Sequence, residues 1–282
     1  MTNELVAVFW RAPRAVPPRS CAGSGLSRAR AGRMPGPLRL YSSQHGVWVV
    51  TGESGLGKTT LMRTLLHTLN PNQYHALYLA VGDDWTSRTL YRQLAYELHL
   101  PIPAWPLETE RTVRQALWTE TTQQGRLPVL VLDESHWLAP TVLQSLRTLL
   151  NFAMDTTAPL ALILAGHTEL RRQLALQPLE AFRERVTMAF HLPPFSATET
   201  ADYLTYQLHQ VGIERPLLTD TAVKAAQDWA QGRPRRLNAW ARACLLAAFV
   251  AQQTIMDDAV VATAQAELHW TQPVAHEGGR PS

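Results

Sequence analysis

The sequence predicts an α/β, three-layer domain with a five-stranded, mostly parallel sheet, followed by a small all-helical domain. Three observations carry this expectation. Apolar runs of strand length alternate with amphipathic, helix-length segments from residue 46 to residue 192, and such alternation favours parallel strands with crossover helices on both faces. Gly52-Glu53-Ser54-Gly55-Leu56-Gly57-Lys58-Thr59-Thr60 reads G-x-x-x-x-G-K-T, between an apolar run and a helical segment. That strand–loop–helix context is the one a phosphate-binding loop of a P-loop NTPase requires. From Ser196 to Leu268 the patterning becomes wholly helical.

The elements follow in chain order. Gly46 to Thr51 is the first strand, continuously apolar as a strand covered on both faces should be. Thr59 to Leu69 is the helix after the phosphate loop, ended by Asn70-Pro71-Asn72. Tyr74 to Val81 is the second strand. Gly82-Asp83-Asp84 turns the chain, with Asp84 the expected cap of a helix over 86–98. Leu90, Leu94 and Leu98 give that helix a core stripe. Leu107 to Gln123 is a further helix, and Pro128 to Leu132 a third strand running into Asp133-Glu134. A helix over 140–153 buries Leu143, Leu146, Leu149 and Leu150. Pro159 to Ala165 is the fourth strand, Glu169 to Leu176 is helical with a continuation toward Arg185 beyond Pro178, and Val186 to Leu192 is the fifth strand. Ser196-Ala197-Thr198-Glu199 is a capping box opening a helix to about residue 210. Helices over 219–231, 235–252 and 257–268 complete the second domain. The expected domains are thus a disordered basic arm over 1–37, the α/β domain over 38–194, the helical domain over 195–270 and a flexible tail over 271–282.

Composition narrows the class. With 46% hydrophobic and 17% charged residues, a soluble globular protein is expected. The formal charge of +3 is uneven: residues 1–44 hold seven arginines against Glu4, leaving the remainder slightly acidic. An arm of that kind serves either as a grip on DNA or as a tail with no role. Cys21 and Cys244 make neither a disulfide framework nor a zinc pattern. Ala239 to Ile255 is apolar but short and interrupted by Arg242, so no membrane span is expected. The apolar patch Leu5 to Trp10 is followed by arginine and paired prolines rather than a signal-peptide layout, which makes the cytoplasm the expected location.

The candidate chemistry begins with the phosphate loop. Its glycines let successive N–H groups converge on an anion, Lys58 reaches the β- and γ-phosphates, and Thr59 can coordinate Mg²⁺. Asp133 and Glu134 end a Val-Leu-Val-Leu strand, where Asp133 would hold the ion through water and Glu134 would polarise the attacking water. His167 and Thr168 end the fourth strand beside the same crevice. Either can contact the attacking water or the γ-phosphate; the alternative is that Thr168 simply caps the next helix. His136 either joins that network or faces solvent.

These residues resemble a known group. Leu132-Asp133-Glu134-Ser135-His136-Trp137-Leu138, Ala165-Gly166-His167-Thr168-Glu169-Leu170 and Gly232-Arg233-Pro234-Arg235-Arg236-Leu237-Asn238 look like AAA+ ATPases. Within that superfamily they are similar to bacterial ATPases related to the secretion-pathway protein ExeA and to transposition helper ATPases. The resemblance covers residues 46–268 and implies a homo-oligomeric ring or filament with ATP and Mg²⁺ between subunits, closed by a helical lid. It implies that Arg235 is the lid's sensor arginine, that His167 takes the place of the first sensor, and that Arg185 or Arg183 is the arginine finger completing a neighbour's site. A guanidinium there would meet charge developing on the γ-phosphoryl oxygens. Two features depart from the family. Its members carry helical sequence before the first strand, whereas residues 1–44 show no helical period, so an atypical or displaced start is expected. Secretion-type relatives often continue into a membrane span and a cell-wall-binding part, and this sequence reaches Ser282 with neither, which favours the transposition type.

The leading reading is therefore a MgATP-dependent ATPase whose assembled state grips double-stranded DNA and recruits or regulates a transposase. Arg88, Arg171, Arg172 and Arg233 are its basic candidates, although scattered arginines also make ordinary solvated surface. The alternatives are an ATPase of a secretion or envelope-assembly machinery, and a nucleotide-binding adaptor with little turnover.

Overall fold

The computed structural model of the chain describes residues 46–151 and 159–268. The expected arm over 1–37, the residues up to 45, the end of the helix beyond Asn151 and the tail over 271–282 lie outside the described residues. What is described divides into two compact units, one up to Pro193 and one from Pro194.

The first unit is built on five parallel strands: β1 (Val47–Thr51), β2 (Tyr74–Ala80), β3 (Leu127–Asp133), β4 (Ala161–Gly166) and β5 (Val186–His191). Their order across the sheet is β2-β3-β4-β1-β5. Burial follows that order. Every residue of β1, β3 and β4 is buried, whereas β2 and β5, at the two edges, alternate between covered and exposed positions. The unbroken apolar runs are thus the central strands, covered on both faces.

Side chains alternate between two cores, as the twofold period of a strand demands. Val47, Val49, Leu130, Leu132, Leu162 and Leu164 enter one cluster. Trp48, Val50, Val129, Val131, Ile163 and Ala165 enter the other. The second cluster is closed by Leu61, Met62 and Leu65 of α1 (Lys58–Thr68). The first is closed by α2 (Ser87–Glu97), α3 (Pro106–Thr122), α4 (Pro140–Leu150) and α5 (Glu169–Leu174), with Phe182 of the four-residue α6 (Glu180–Arg183). Each fully buried side chain of this size contributes about 1.5–3 kcal/mol, so a one-residue slip that turned either set to the wrong face would be heavily disfavoured.

One local expectation needs correcting. Asp84 does not cap α2: Thr86 is the extended N-cap residue, and its side chain accepts a hydrogen bond from the Thr89 N–H at 3.2 Å. The helical stretch after β4 is interrupted at Pro178, as expected: α5 gives way to a short 3₁₀ turn over Gln177–Leu179, and α6 continues beyond it, because Pro178 offers no N–H to continue a helical ladder.

The second unit holds α7 (Ala197–Gln210), α8 (Asp220–Ala230), α9 (Pro234–Val250) and α10 (Asp258–Leu268). The capping box at the start of α7 is formed: Ser196 accepts from the Glu199 N–H, and the Glu199 carboxylate accepts from the Ser196 N–H. Leu237, Trp240 and Cys244 of α9 are fully buried among Ala222, Ala226, Val260 and Ala264. Burial pushes the Cys244 thiol up to about 12, which leaves it a small apolar group rather than a nucleophile. Gly232, with φ +64°, is needed where it stands: a β-carbon there would lie 2.2 Å from the Phe195 carbonyl oxygen, whose own N–H donates to the Gly232 carbonyl.

Candidate functional site

The candidate site lies at the C-terminal ends of β1, β4 and β3, which are neighbours in that order. After β1 the chain turns at Gly52, whose N–H bonds the Gly166 carbonyl at 3.2 Å. Gly55 (φ +79°) and Gly57 (φ +90°) then adopt left-handed backbone, and Gly57 is the N-cap of α1. Left-handed turns feeding a helix start form the concave N–H cradle that binds anions. Lys58, the first residue of α1, is only 6% exposed, and its ammonium donates to the carbonyls of Gly52 at 3.0 Å and Glu53 at 3.2 Å. The loop therefore carries a held cation at its lip. Leu56 packs beneath it in the second core, while Ser54 and Thr60 stay exposed.

Asp133, at the end of β3, is 2% exposed and takes three donors. The Thr59 hydroxyl donates to its Oδ2 at 2.6 Å, the Tyr78 phenol to the same oxygen at 2.8 Å, and the Glu134 N–H to Oδ1 at 2.9 Å. Tyr78 comes from β2, where it pairs with Val131. Burial, reinforced by its bond to Asp133, pushes the Tyr78 phenol from 10.0 up to about 12, so it remains a donor throughout the neutral range. No sequence pattern points to Tyr78; only the β2–β3 register reveals it.

Glu134 follows in left-handed backbone, with φ +57°. That conformation costs a non-glycine residue about 1–3 kcal/mol. It is held by the turn beyond it, where the Ser135 hydroxyl donates to the Leu132 carbonyl at 2.6 Å and the Trp137 N–H to the Glu134 carbonyl at 3.1 Å. The Glu134 carboxylate is left 46% exposed, 3.4 Å from Nδ1 of His136.

Between these two ends sits the end of β4. His167 Nε2 lies 3.3 Å from a Glu53 oxygen and its Nδ1 lies 3.2 Å from a Glu169 oxygen. Thr168 donates to the other Glu53 oxygen at 3.4 Å. Thr168 is the N-cap residue of α5, as the capping alternative has it, but its side chain makes no capping bond. The His167 N–H donates to His136 Nδ1 at 3.3 Å. His136 does not simply face solvent: burial lowers its pKa below 6.5, against the opposing pull of Glu134.

Comparison with known proteins bears on this arrangement. Residues 40–174 match a family model described as an AAA domain. General secretion pathway protein A of Aeromonas hydrophila is 30% identical over 243 residues, which span 80% of this chain and 44% of that protein. The chain belongs to the AAA+ family, in the secretion-pathway protein A group. It spans less than half the length of that relative. The Aeropyrum pernix ORC2 protein, solved as ADPNP–ADP complexes, superimposes with a TM-score of 0.63 at 17% identity, over 92% of this chain and 71% of that one. Drosophila ORC bound to DNA gives 0.65 at 18% identity, over 94% of this chain and 66% of that one. Likeness at such identities concerns the fold.

As an AAA+ chain, the protein brings some expected site residues together and keeps others apart. Gly52 to Thr60, Asp133, Glu134 and His167 share one end of the sheet. Arg183 and Arg185 do not. The Arg185 carbonyl accepts from the Val47 N–H at the start of β1. At about 3.3 Å per residue, roughly 15 Å of strand separates that point from the phosphate loop. The Arg183 guanidinium donates to the Ala175 carbonyl at 3.3 Å, bracing the bend between α5 and α6. Arg235 stands in the first turn of α9, in the other unit. Arg88, Arg171 and Arg172 are exposed on α2 and α5, and Arg233 is the half-buried N-cap of α9.

The donor set suits a hard divalent cation. A threonine hydroxyl meets a buried carboxylate 74 residues away in sequence, and both offer oxygen only. Among the described residues no cluster of three His, Cys, Asp or Glu side chains would hold a metal by itself. An ion at Thr59 and Asp133 would therefore complete its shell with water and phosphate oxygens, as magnesium does.

Proposed function

We propose that the chain is a MgATP-dependent ATPase, and the observation that carries this reading is the 2.6 Å bond from Thr59 to Asp133, which joins the phosphate loop to the acidic strand end. Magnesium, when bound, neutralises charge on the phosphate oxygens. Gly52 to Thr60 enclose the phosphates, Lys58 swings its ammonium from the loop carbonyls to the β- and γ-oxygens, and Thr59 and Asp133 hold the ion. Glu134, exposed beside them, takes the proton of the attacking water. His167, tied to the loop through Glu53, reads the terminal phosphate. Arg235 acts from the helical unit as the lid's sensor, and Arg185, with Arg183 as the weaker candidate, acts on a neighbouring subunit. That last role fits the position of Arg185 at the far end of β1, and it requires a homo-oligomer.

The assembled, ATP-bound state would grip duplex DNA and recruit or regulate a transposase, with hydrolysis releasing it. The motif resemblance to transposition helpers supports this, as does the shared fold with a DNA-bound ORC. The 30% identity to a general secretion pathway protein favours a second reading, an ATPase of a secretion machinery. Mobility-shift binding to duplex DNA, with and without ATP across a salt series, separates them. The first reading expects ATP-dependent retention that weakens steeply with salt. Tight ATP binding with no retention at low salt would sink it and leave the second.

A further inference from the structure

Two polar groups compete for one nitrogen of His136. Its Nδ1 lies 3.3 Å from the His167 backbone nitrogen and 3.4 Å from Oε2 of Glu134. With the ring proton on Nε2, Nδ1 accepts the His167 N–H and offers Glu134 only a lone pair. With a proton on Nδ1, the ring donates to Glu134 and the His167 N–H loses its acceptor. The two states exclude one another.

We propose that His136 is a positioning residue that couples the end of β4 to the Glu134 carboxylate through this single nitrogen. The inference rests on the hydrolytic reading above. Its ring has little freedom to evade the choice. The side chain is 14% exposed and lies against Trp137 and His167, with ring centroids 5.0 and 5.8 Å away. Its backbone is pinned: the His136 carbonyl accepts from Gln173 at 2.9 Å, and a β-carbon on Gly166 would come within 3.1 Å of the His136 nitrogen. The charged and titratable groups that act on it are Glu134, His167, Glu169 and Lys58. Burial favours the neutral ring, and the His167 N–H aimed at Nδ1 favours its Nε2–H tautomer, in which the β4 end is held and Glu134 is released toward water. Protonation reverses both effects: Glu134 is drawn onto the imidazolium and the β4 end is let go.

Two measurements on the full chain decide this. Ring-nitrogen NMR of His136, without nucleotide, is expected to show an unprotonated Nδ1 at neutral pH; a proton resident on Nδ1 there would overturn the proposal whatever the ATPase activity. Steady-state hydrolysis is then followed against pH for the unaltered chain, His136→Asn and His136→Ala. The asparagine oxygen takes the place of Nδ1 and accepts without titrating. His136→Asn should keep kcat at pH 8 and lose the acid limb of the profile, while His136→Ala should lose about tenfold or more in kcat with KM unchanged. An unchanged acid limb in His136→Asn, or full activity in His136→Ala, would overturn it. A chain that binds ATP but hydrolyses none defeats the hydrolytic reading itself, and the protonation of Nδ1 seen by NMR then decides the His136 contact on its own.

Discussion

The two ends of β1 differ in kind. At its C-terminal end the phosphate loop, Asp133 and the β4 end are stitched together by short contacts: Thr59 and Tyr78 on one carboxylate oxygen, Glu53 beside His167 and Thr168. At its N-terminal end stands Arg185, engaged through its carbonyl in starting the strand. One end gathers the phosphate loop, the acidic strand end and His167, the residues proposed to hold a triphosphate and its ion. The other holds an arginine that its own phosphate loop cannot meet across the length of the strand. The proposed hydrolysis develops charge on a γ-phosphoryl group, and under that proposal Arg185 would meet it on a neighbouring copy of the chain.

The largest effect should come from breaking that division. Arg185→Ala is expected to lower kcat by about 10³–10⁵-fold, the range an arginine finger supplies, with ATP binding intact. Mixing it with a Lys58→Ala chain should restore activity, because one subunit offers the finger and the other the loop. Equal amounts that assemble yet stay inactive would show that Arg185 works within its own subunit or not at all. Arg183→Ala should do less, since that guanidinium is already braced on Ala175.

Next comes a change confined to the crowded end. Glu134→Gln keeps the shape but removes the base, and is expected to cost roughly 10²–10⁴-fold in kcat while ATP still binds and the assembled form accumulates. Unchanged hydrolysis would transfer the role of base to another group. The contrast with Arg185→Ala is sharp: no mixture with a Lys58 variant should rescue Glu134→Gln, because loop and base belong to the same subunit.

The crowded end also shows which features a linear sequence can carry. The phosphate loop is legible because its backbone shape follows from glycines a few residues apart, and Gly55 and Gly57 do take left-handed conformations. The acidic pair is legible because it terminates an unbroken apolar run. The capping box at Ser196 is equally local. What is not legible depends on which strands are neighbours. Nothing in the order of strands along the chain says that β4 lies between β1 and β3, yet that placement brings His167 against both Glu53 and His136. Asp84 and Thr86 are both cap-forming residue types two positions apart, and only the extended backbone at Thr86 decides between them. Thr168 carries the residue type of a cap but spends its hydroxyl on Glu53, a contact across 115 positions of sequence.

Tyr78 is the sharpest case of a contact set by register, and it makes the smallest prediction. Its phenol reaches Asp133 because β2 pairs with β3 so that Tyr78 stands beside Val131, two residues before the acid. It donates to the oxygen that Thr59 also uses, so it helps to fix the orientation of that carboxylate. Tyr78→Phe preserves the ring, the strand and the packing, and removes one bond to a buried carboxylate. The stability cost should be about 1 kcal/mol, because the phenol is only half-buried. The sharper readout is the magnesium dependence of hydrolysis. A donor that orients an ion's ligand is worth about tenfold in metal affinity at the low end, so the magnesium titration should shift by that factor while kcat at saturating magnesium is unchanged. A fall in kcat that excess magnesium cannot restore would mean that Tyr78 reaches the reacting phosphate itself, and that the crowded end of β1 extends one strand further than its contacts with Asp133 indicate.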